Sequence, residues 1–270
     1  LEWSGHDVTR EFYVNDAGNQ INKFGASLSV RYLQLFEGEE KHPLPEDCYQ
    51  GMDILDHARE FAKLYGDKYV NAPEEERRKA LVDYALPLNI AALERDLGRY
   101  RIHYDVWFRE SVLHREGKVT AICEKLKENG WAYEKEGALW YNNIKMMIEK
   151  AEKAGKPLSE AEIAELKDDV LVRANGVPTY FAADIAYHYN KFAERGFHRV
   201  INIWGADHHG HVARLKGAMD AVGLDGDKLD IVLMQLVRLM KDGQPYRMSK
   251  RSGRAVTLTD LLDDEENPRK

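Results

Sequence analysis

The sequence is short of several features that would narrow its class at once. It has two cysteines, Cys48 and Cys123, far apart and outside any CxxC spacing, so neither a disulfide framework nor a thiolate metal site organises it. No apolar run approaches the roughly 20 residues of a membrane-spanning helix, and no basic start followed by an apolar stretch marks a leader. A cytoplasmic, globular protein without a membrane partner is expected. Positive charge is also scarce. Thirty-nine Lys and Arg against 46 Asp and Glu leave a formal net charge of −7, which excludes a uniformly basic nucleic-acid module but permits a local basic face. There is no internal repeat or low-complexity tract.

What is present is core material. With 44% hydrophobic residues, five Trp and fourteen Tyr, the 270 residues can fill one large domain or two small ones. Residues 10–14 read as a strand that runs into a polar turn at Asn15, Asp16 and Gly18. Met52, Leu55, Ala58, Ala62 and Tyr65 recur at helical spacing, with Gly66 placed to end that helix. A second amphipathic helix spans about 73–100, and its interior Pro87 should kink or split it. Residues 102–108 then predict a strand, 118–128 a helix, and 131–141 a hairpin turning at Glu136-Gly137. Residues 144–169 predict two short solvated helices, with Ser159 and Glu162 as a capping box. Beyond Val170 the pattern is strand (170–173), helix (181–195), strand (199–204), helix (211–222) and a long apolar strand (229–240), the rhythm of a parallel sheet. Asp242-Gly243 predicts a hairpin turn.

Three clusters carry chemistry. Gly205-Ala206-Asp207-His208-His209-Gly210-His211 follows a strand directly, where ligands of open α/β sheets bind. Its glycines let a ligand approach the backbone, and the helix start offers free N–H groups to an anion. Three His and an Asp in five residues also suit a metal, but on a single turn they converge poorly on a tetrahedron, so no metal is expected. A third possibility is a helix capped by Asp207. The second cluster, Tyr246-Arg247-Met248-Ser249-Lys250-Arg251-Ser252-Gly253, mixes small residues with cations. Such a loop can close over a polyphosphate, with Lys250 stabilising the charge that spreads in nucleotidyl transfer; taken alone, it reads first as an ordinary basic surface loop. In the third, Tyr180 and Asp184 are four apart and share a helical face. A carboxylate accepting two N–H groups is the natural partner of a planar guanidinium, although Asp184 alone could be an ordinary solvated residue.

Arg247-Met248-Ser249-Lys250-Arg251 resembles the KMSKS loop of class I aminoacyl-tRNA synthetases. The stretches from Arg10 to Gln20, from Thr179 to His188 and from Trp204 to Gly210 resemble arginyl-tRNA synthetases in particular, in family order and over nearly the whole chain. The resemblance implies an α/β fold: a partial Rossmann-like class I catalytic core, in two pieces at 1–23 and 170–270, interrupted by an α+β insertion at 24–169. It implies arginine recognition by Tyr180, Asp184, Asp207 and His208. The ATP site would comprise Gly205, Asp207, His211, Arg247, Met248, Ser249 and Lys250, with Lys250 as the catalytic lysine. ATP with Mg2+, L-arginine and tRNA(Arg) are the implied cofactors and partners. The family's HIGH segment, its amino-terminal tRNA-binding domain and its anticodon-reading helical domain are not found in these 270 residues. The chain is therefore expected to be an internal fragment with weak or no independent activity, whose unpaired sheet edge favours self-association. Another class I nucleotidyl-transferring enzyme and a non-catalytic binding module are the alternatives.

Overall fold

The structure is a computed structural model that describes residues 1–241, 243–245 and 257–263. The chain divides into two compact units, Leu1–Arg109 with Leu239–Lys270, and Glu110–Arg238. The fold is mixed α/β, 55% helical.

In the first unit, strand β1 (Glu11–Val14) pairs in parallel with β2 (Val106–Arg109), Glu11 lying beside Val106. Between them run three helices, α1 (Gly18–Glu37), α2 (Met52–Tyr65) and α3 (Glu74–Arg99). They bury Phe24, Leu28, Tyr32, Ile54, Ala58, Phe61, Leu81 and Ala85 as one apolar core. Helix α1 begins at Gly18, within the expected polar turn, and continues through a stretch for which the sequence pattern gives no helix. Gly25 explains part of its character: a Cβ there would sit 3.1 Å from a Val82 methyl, so α1 and α3 approach closely across it. Of the two outcomes expected at Pro87, a split does not occur: α3 continues through it as one helix. Pro87 is on an exposed face, where the Asp83 carbonyl that loses its N–H partner can be hydrated. A two-residue hairpin, β8 (Met240–Lys241) with β9 (Gln244–Pro245), turns at Gly243, whose φ is +74°. The last described helix of the unit is α10 (Leu258–Asp263).

The second unit begins with α4 (Glu110–Arg115) and α5 (Lys118–Glu128) and continues into the expected hairpin, β3 (Ala132–Lys135) and β4 (Ala138–Tyr141). Glu136 and Gly137, both at positive φ, make its turn. Helices α6 (Asn143–Lys153) and α7 (Glu160–Glu165) follow, the latter opened by the Ser159–Glu162 capping box. Strand β5 (Asp169–Val172) corrects the expectation of a parallel run: it pairs antiparallel with β4. The segment before it is fixed beside the hairpin. Asp168 accepts from Tyr133 Oη and Ile144 N, and the Lys167 carbonyl accepts from Asn143, so β5 enters along the open edge of β4. Helix α8 (Tyr180–Tyr189) passes into a π-helical turn at Asn190–Glu194. Strands β6 (Val200–Gly205) and β7 (Leu229–Met234) form the expected parallel pair, joined through α9 (His209–Ala221). One face of the pair is buried through Val200, Asn202 and Leu229, while Ile201, Ile203, Val232 and Met234 are exposed on the other. Strand β7 is shorter than the apolar run 229–240 predicts.

Candidate functional site

The chemistry-bearing residues of the second unit converge on Asp184. Thr179 sets the start of α8: its side chain accepts from Ala182 N, its hydroxyl donates to the Val170 carbonyl, and its N–H reaches Leu171 O. This ties the helix to β5 and turns Tyr180 and Asp184 toward α9. Tyr180 is 51% exposed and Asp184 only 4%. The Tyr180 pKa is raised, first by desolvation and then by the negative charge of Asp184 nearby. Asp184 Oδ2 lies 2.8 Å from His211 Nε2, both side chains buried. Burial pushes the Asp184 pKa up. The His211 hydrogen bond, and the charges of His211, His208 and Lys191, act in the opposite direction. Asp184 is therefore not the solvated helix residue that one alternative supposes.

Two further shells were not singled out by the sequence. Asn202 Nδ2 donates to His188 Nε2 at 2.6 Å, and His188 Nδ1 donates to the Asp184 backbone carbonyl at 2.7 Å. Both ring nitrogens are thus used by a neutral imidazole, and burial takes the His188 pKa down to about 3. The π-helical turn brings Lys191 inward, 4.0 Å from the Tyr187 ring centroid and 3.4 Å from Asn202 Oδ1; such turns recur at functional sites. On the other side, Arg214 Nε donates to His211 Nδ1 at 2.9 Å and Nη1 to Asp169 Oδ1 at 2.6 Å. The only sequence signals for these groups are spacings: His188 is four beyond Asp184, and Arg214 three beyond His211, each on the same helical face. Asn202 and Asp169 carry no such signal.

At the carboxyl end of β6, Gly205 leads into a 3-10 turn, Ala206–His208, and then α9. The Asp207 carboxylate folds back to where a Gly205 Cβ would lie, with Oδ1 at 2.4 Å. It does not cap α9, and its side chain is 83% exposed, 3.8 Å from His208 Nε2. The His208 and His211 rings lie 5.7 and 5.5 Å from Trp204. The structure thus groups Tyr180, Asp184, His208 and His211, with Gly205 and Asp207 at the mouth of the strand end. Arg247, Met248, Ser249 and Lys250 lie outside the described residues. Among the described residues no group of three or more His, Cys, Asp or Glu could hold a metal ion, and no helix is long and apolar enough to cross a membrane.

The family model for tRNA synthetases class I (R), catalytic domain, matches residues 1–268. Arginine–tRNA ligases of Ruminiclostridium cellulolyticum and Caldanaerobacter subterraneus are 53% and 54% identical over 264 residues, covering 98% of this chain and 44% of each relative. Among solved structures, one assigned as an arginyl-tRNA synthetase from Campylobacter jejuni superposes with a TM-score of 0.79 at 34% identity, over 96% of this chain and 52% of that one. The Thermus thermophilus arginyl-tRNA synthetase, at 19% identity and a TM-score of 0.63, shares the fold. Fold and family model together define a class I synthetase catalytic domain. Within that class the chain belongs to the arginyl-tRNA synthetase family, and it spans less than half the length of the curated relatives it matches.

Proposed function

We propose that this chain carries the arginine-binding part, and the second half of the nucleotide site, of a cytoplasmic arginine–tRNA ligase. The observation that carries the reading is the buried Asp184 carboxylate, held at 2.8 Å by His211, with the half-exposed Tyr180 four residues before it on α8. A carboxylate kept out of water beside a fixed donor favours a cation that supplies its own planar N–H pair, and a guanidinium does so. Asp207 and His208 complete the amino-acid side of the site. Gly205, Asp207, His211 and the start of α9 belong to the nucleotide side of the site, and Arg247, Met248, Ser249 and Lys250 are proposed as further ATP-binding residues. In the complete enzyme, the arginine carboxylate attacks the α-phosphorus of ATP. Arginyl-adenylate forms, pyrophosphate leaves, and the arginyl group passes to the 3′ end of tRNA(Arg). Lys250 is the catalytic cation, stabilising charge on the transferring phosphoryl group. Magnesium enters with ATP as the counter-ion of its phosphates.

The proposal includes a core in two pieces, 1–23 and 170–270, around an insertion at 24–169. Within that interval, α1–α3 have the most independent character, since they form their own apolar core between the parallel neighbours β1 and β2.

Arginine-dependent ATP–pyrophosphate exchange, on the wild-type chain and on Lys250→Ala, tests the reading. Exchange that disappears in the variant supports it. Arginine binding without exchange, lost in Asp184→Asn, supports the binding role and assigns catalysis to the longer protein. Absence of both overturns it.

A further inference from the structure

Arg214 has donors and no acceptor, so the Nε–H it directs at His211 Nδ1 requires that nitrogen to be unprotonated. The single N–H of the neutral ring is therefore on Nε2, aimed at Asp184 Oδ2. Asp169, the first residue of β5, accepts the second N–H of the same guanidinium. Rings close the remaining space. Phe181 meets the His211 ring edge-on at 5.5 Å and lies 5.5 Å from the Arg214 guanidinium, and Trp204 lies 5.5 Å from the His211 ring. Flipping the imidazole would present carbon to both partners.

We infer that Asp169 and Arg214 form a positioning relay for the Asp184 carboxylate, holding His211 as an Nε2–H donor and so fixing which Asp184 lone pairs remain for a planar guanidinium. The inference rests on the proposed arginine-binding role of Asp184. Without Arg214, the His211 proton is free to move to Nδ1. In that tautomer a lone pair faces the carboxylate, which loses its fixed N–H donor and is free to turn out of the orientation that a planar guanidinium pairs with. Asp169 has a second part in the relay: it balances the Arg214 charge, so a ligand guanidinium approaching Asp184 does not meet an uncompensated cation.

The test joins a tautomer readout to a binding readout. Long-range proton–nitrogen NMR of the histidine-labelled chain reports which His211 nitrogen carries the proton, and L-arginine titration by calorimetry reports affinity. Wild type is expected as the Nε2–H tautomer. Arg214→Met is expected to populate Nδ1–H and lose ~10-fold in arginine affinity, the loss of a hydrogen bond to a charged group. Asp169→Asn should lose less. Arg214→Lys keeps the charge but not the fork, and gives an intermediate result; it is the variant to read if Arg214→Met does not fold. An unchanged tautomer in the Arg214 variants overturns the relay, whatever happens to arginine. Wild-type binding that Asp184→Asn abolishes but Arg214→Met leaves intact overturns the relay while sparing the arginine site. A wild type that ignores arginine, with Asp184→Asn no different, overturns both.

Discussion

The two units keep polarity in their interiors in different ways. The α1–α3 bundle is aromatic and aliphatic inside, with Phe61 in ring contact with Tyr32, Tyr65, Tyr69 and Tyr84. Its buried cation, Arg77, donates through Nε to Ser29 Oγ and through Nη1 to the carbonyls of Tyr69, Val70 and Ala72, which ties down the loop before α3. Around α8 and α9, by contrast, Asp184, His188, Lys191, Asn202 and His211 are all buried, and their hydrogen bonds form one chain through Asp184: His211 at its carboxylate, His188 at its backbone carbonyl, Asn202 on His188 and Lys191 on Asn202. A core made for stability alone gains little from such a network, because burying charge costs more than apolar packing of the same volume. The polar interior therefore marks the functional region and the apolar one the scaffold.

The largest effect that could break this comparison is in the bundle. Phe61→Ala should cost about 3–5 kcal/mol, as truncation of a fully enclosed aromatic does, while arginine affinity stays unchanged. Denaturant unfolding and calorimetry on the same variant check both halves. An equal loss of arginine binding would show that the bundle is more than scaffold. Next comes Asp184→Asn, nearly isosteric but uncharged. It should lower arginine affinity by ~100-fold, about 2.7 kcal/mol, and abolish the preference for arginine over citrulline. Equal affinity for the two ligands in the wild type would remove the guanidinium from the argument.

The polar interior also predicts a pH signature. His188 is neutral in the folded chain, with its pKa lowered from 6.5 to about 3. The unfolded chain takes up a proton there below about pH 6.5 and the native chain does not. The His188 contribution is thus complete above that value and is lost as pH falls toward 3, at up to ~1.4 kcal/mol per pH unit. Asp184, raised above 3.8, contributes with the opposite sign on acidification, so the wild-type slope alone does not isolate His188. The difference between wild type and His188→Gln does: the variant should lose less stability between pH 6.5 and 4. Parallel curves would place the proton elsewhere.

How much of this was legible in the sequence follows from where local and tertiary preferences agree. Helices α2 and α5, the β3–β4 hairpin and the β6–α9–β7 unit combine clear periodicity with matching caps or turns. Helix α1 does not, because its helix-weak residues are kept for contacts made elsewhere. Gly25 admits Val82, Ser27 Oγ accepts from Tyr49 N, and Ser29 takes the Arg77 Nε–H. At the site, helical spacing suffices to place Tyr180 with Asp184. His211 is conspicuous only as part of a histidine cluster, and its actual partner lies 27 positions earlier, on another helix. Asp169, Asn202 and Arg214 acquire meaning only once β5, β6 and α9 are side by side.

The smallest expected effect concerns Pro87. An interior proline forfeits a backbone hydrogen bond and crowds the carbonyl four residues back, yet α3 passes through it without a break. The helix is held there by the packing of its other face, where Leu81 and Ala85 are fully buried, so the scaffold offsets the penalty of the proline. Pro87→Ala restores the N–H toward the Asp83 carbonyl on an exposed face and should stabilise the chain by about 1 kcal/mol. This is less than the full helix-interior penalty of ~3 kcal/mol, because proline also restricts the unfolded chain. Thermal unfolding reads it directly. A loss of stability on substitution would show that the proline sets a bend the bundle requires.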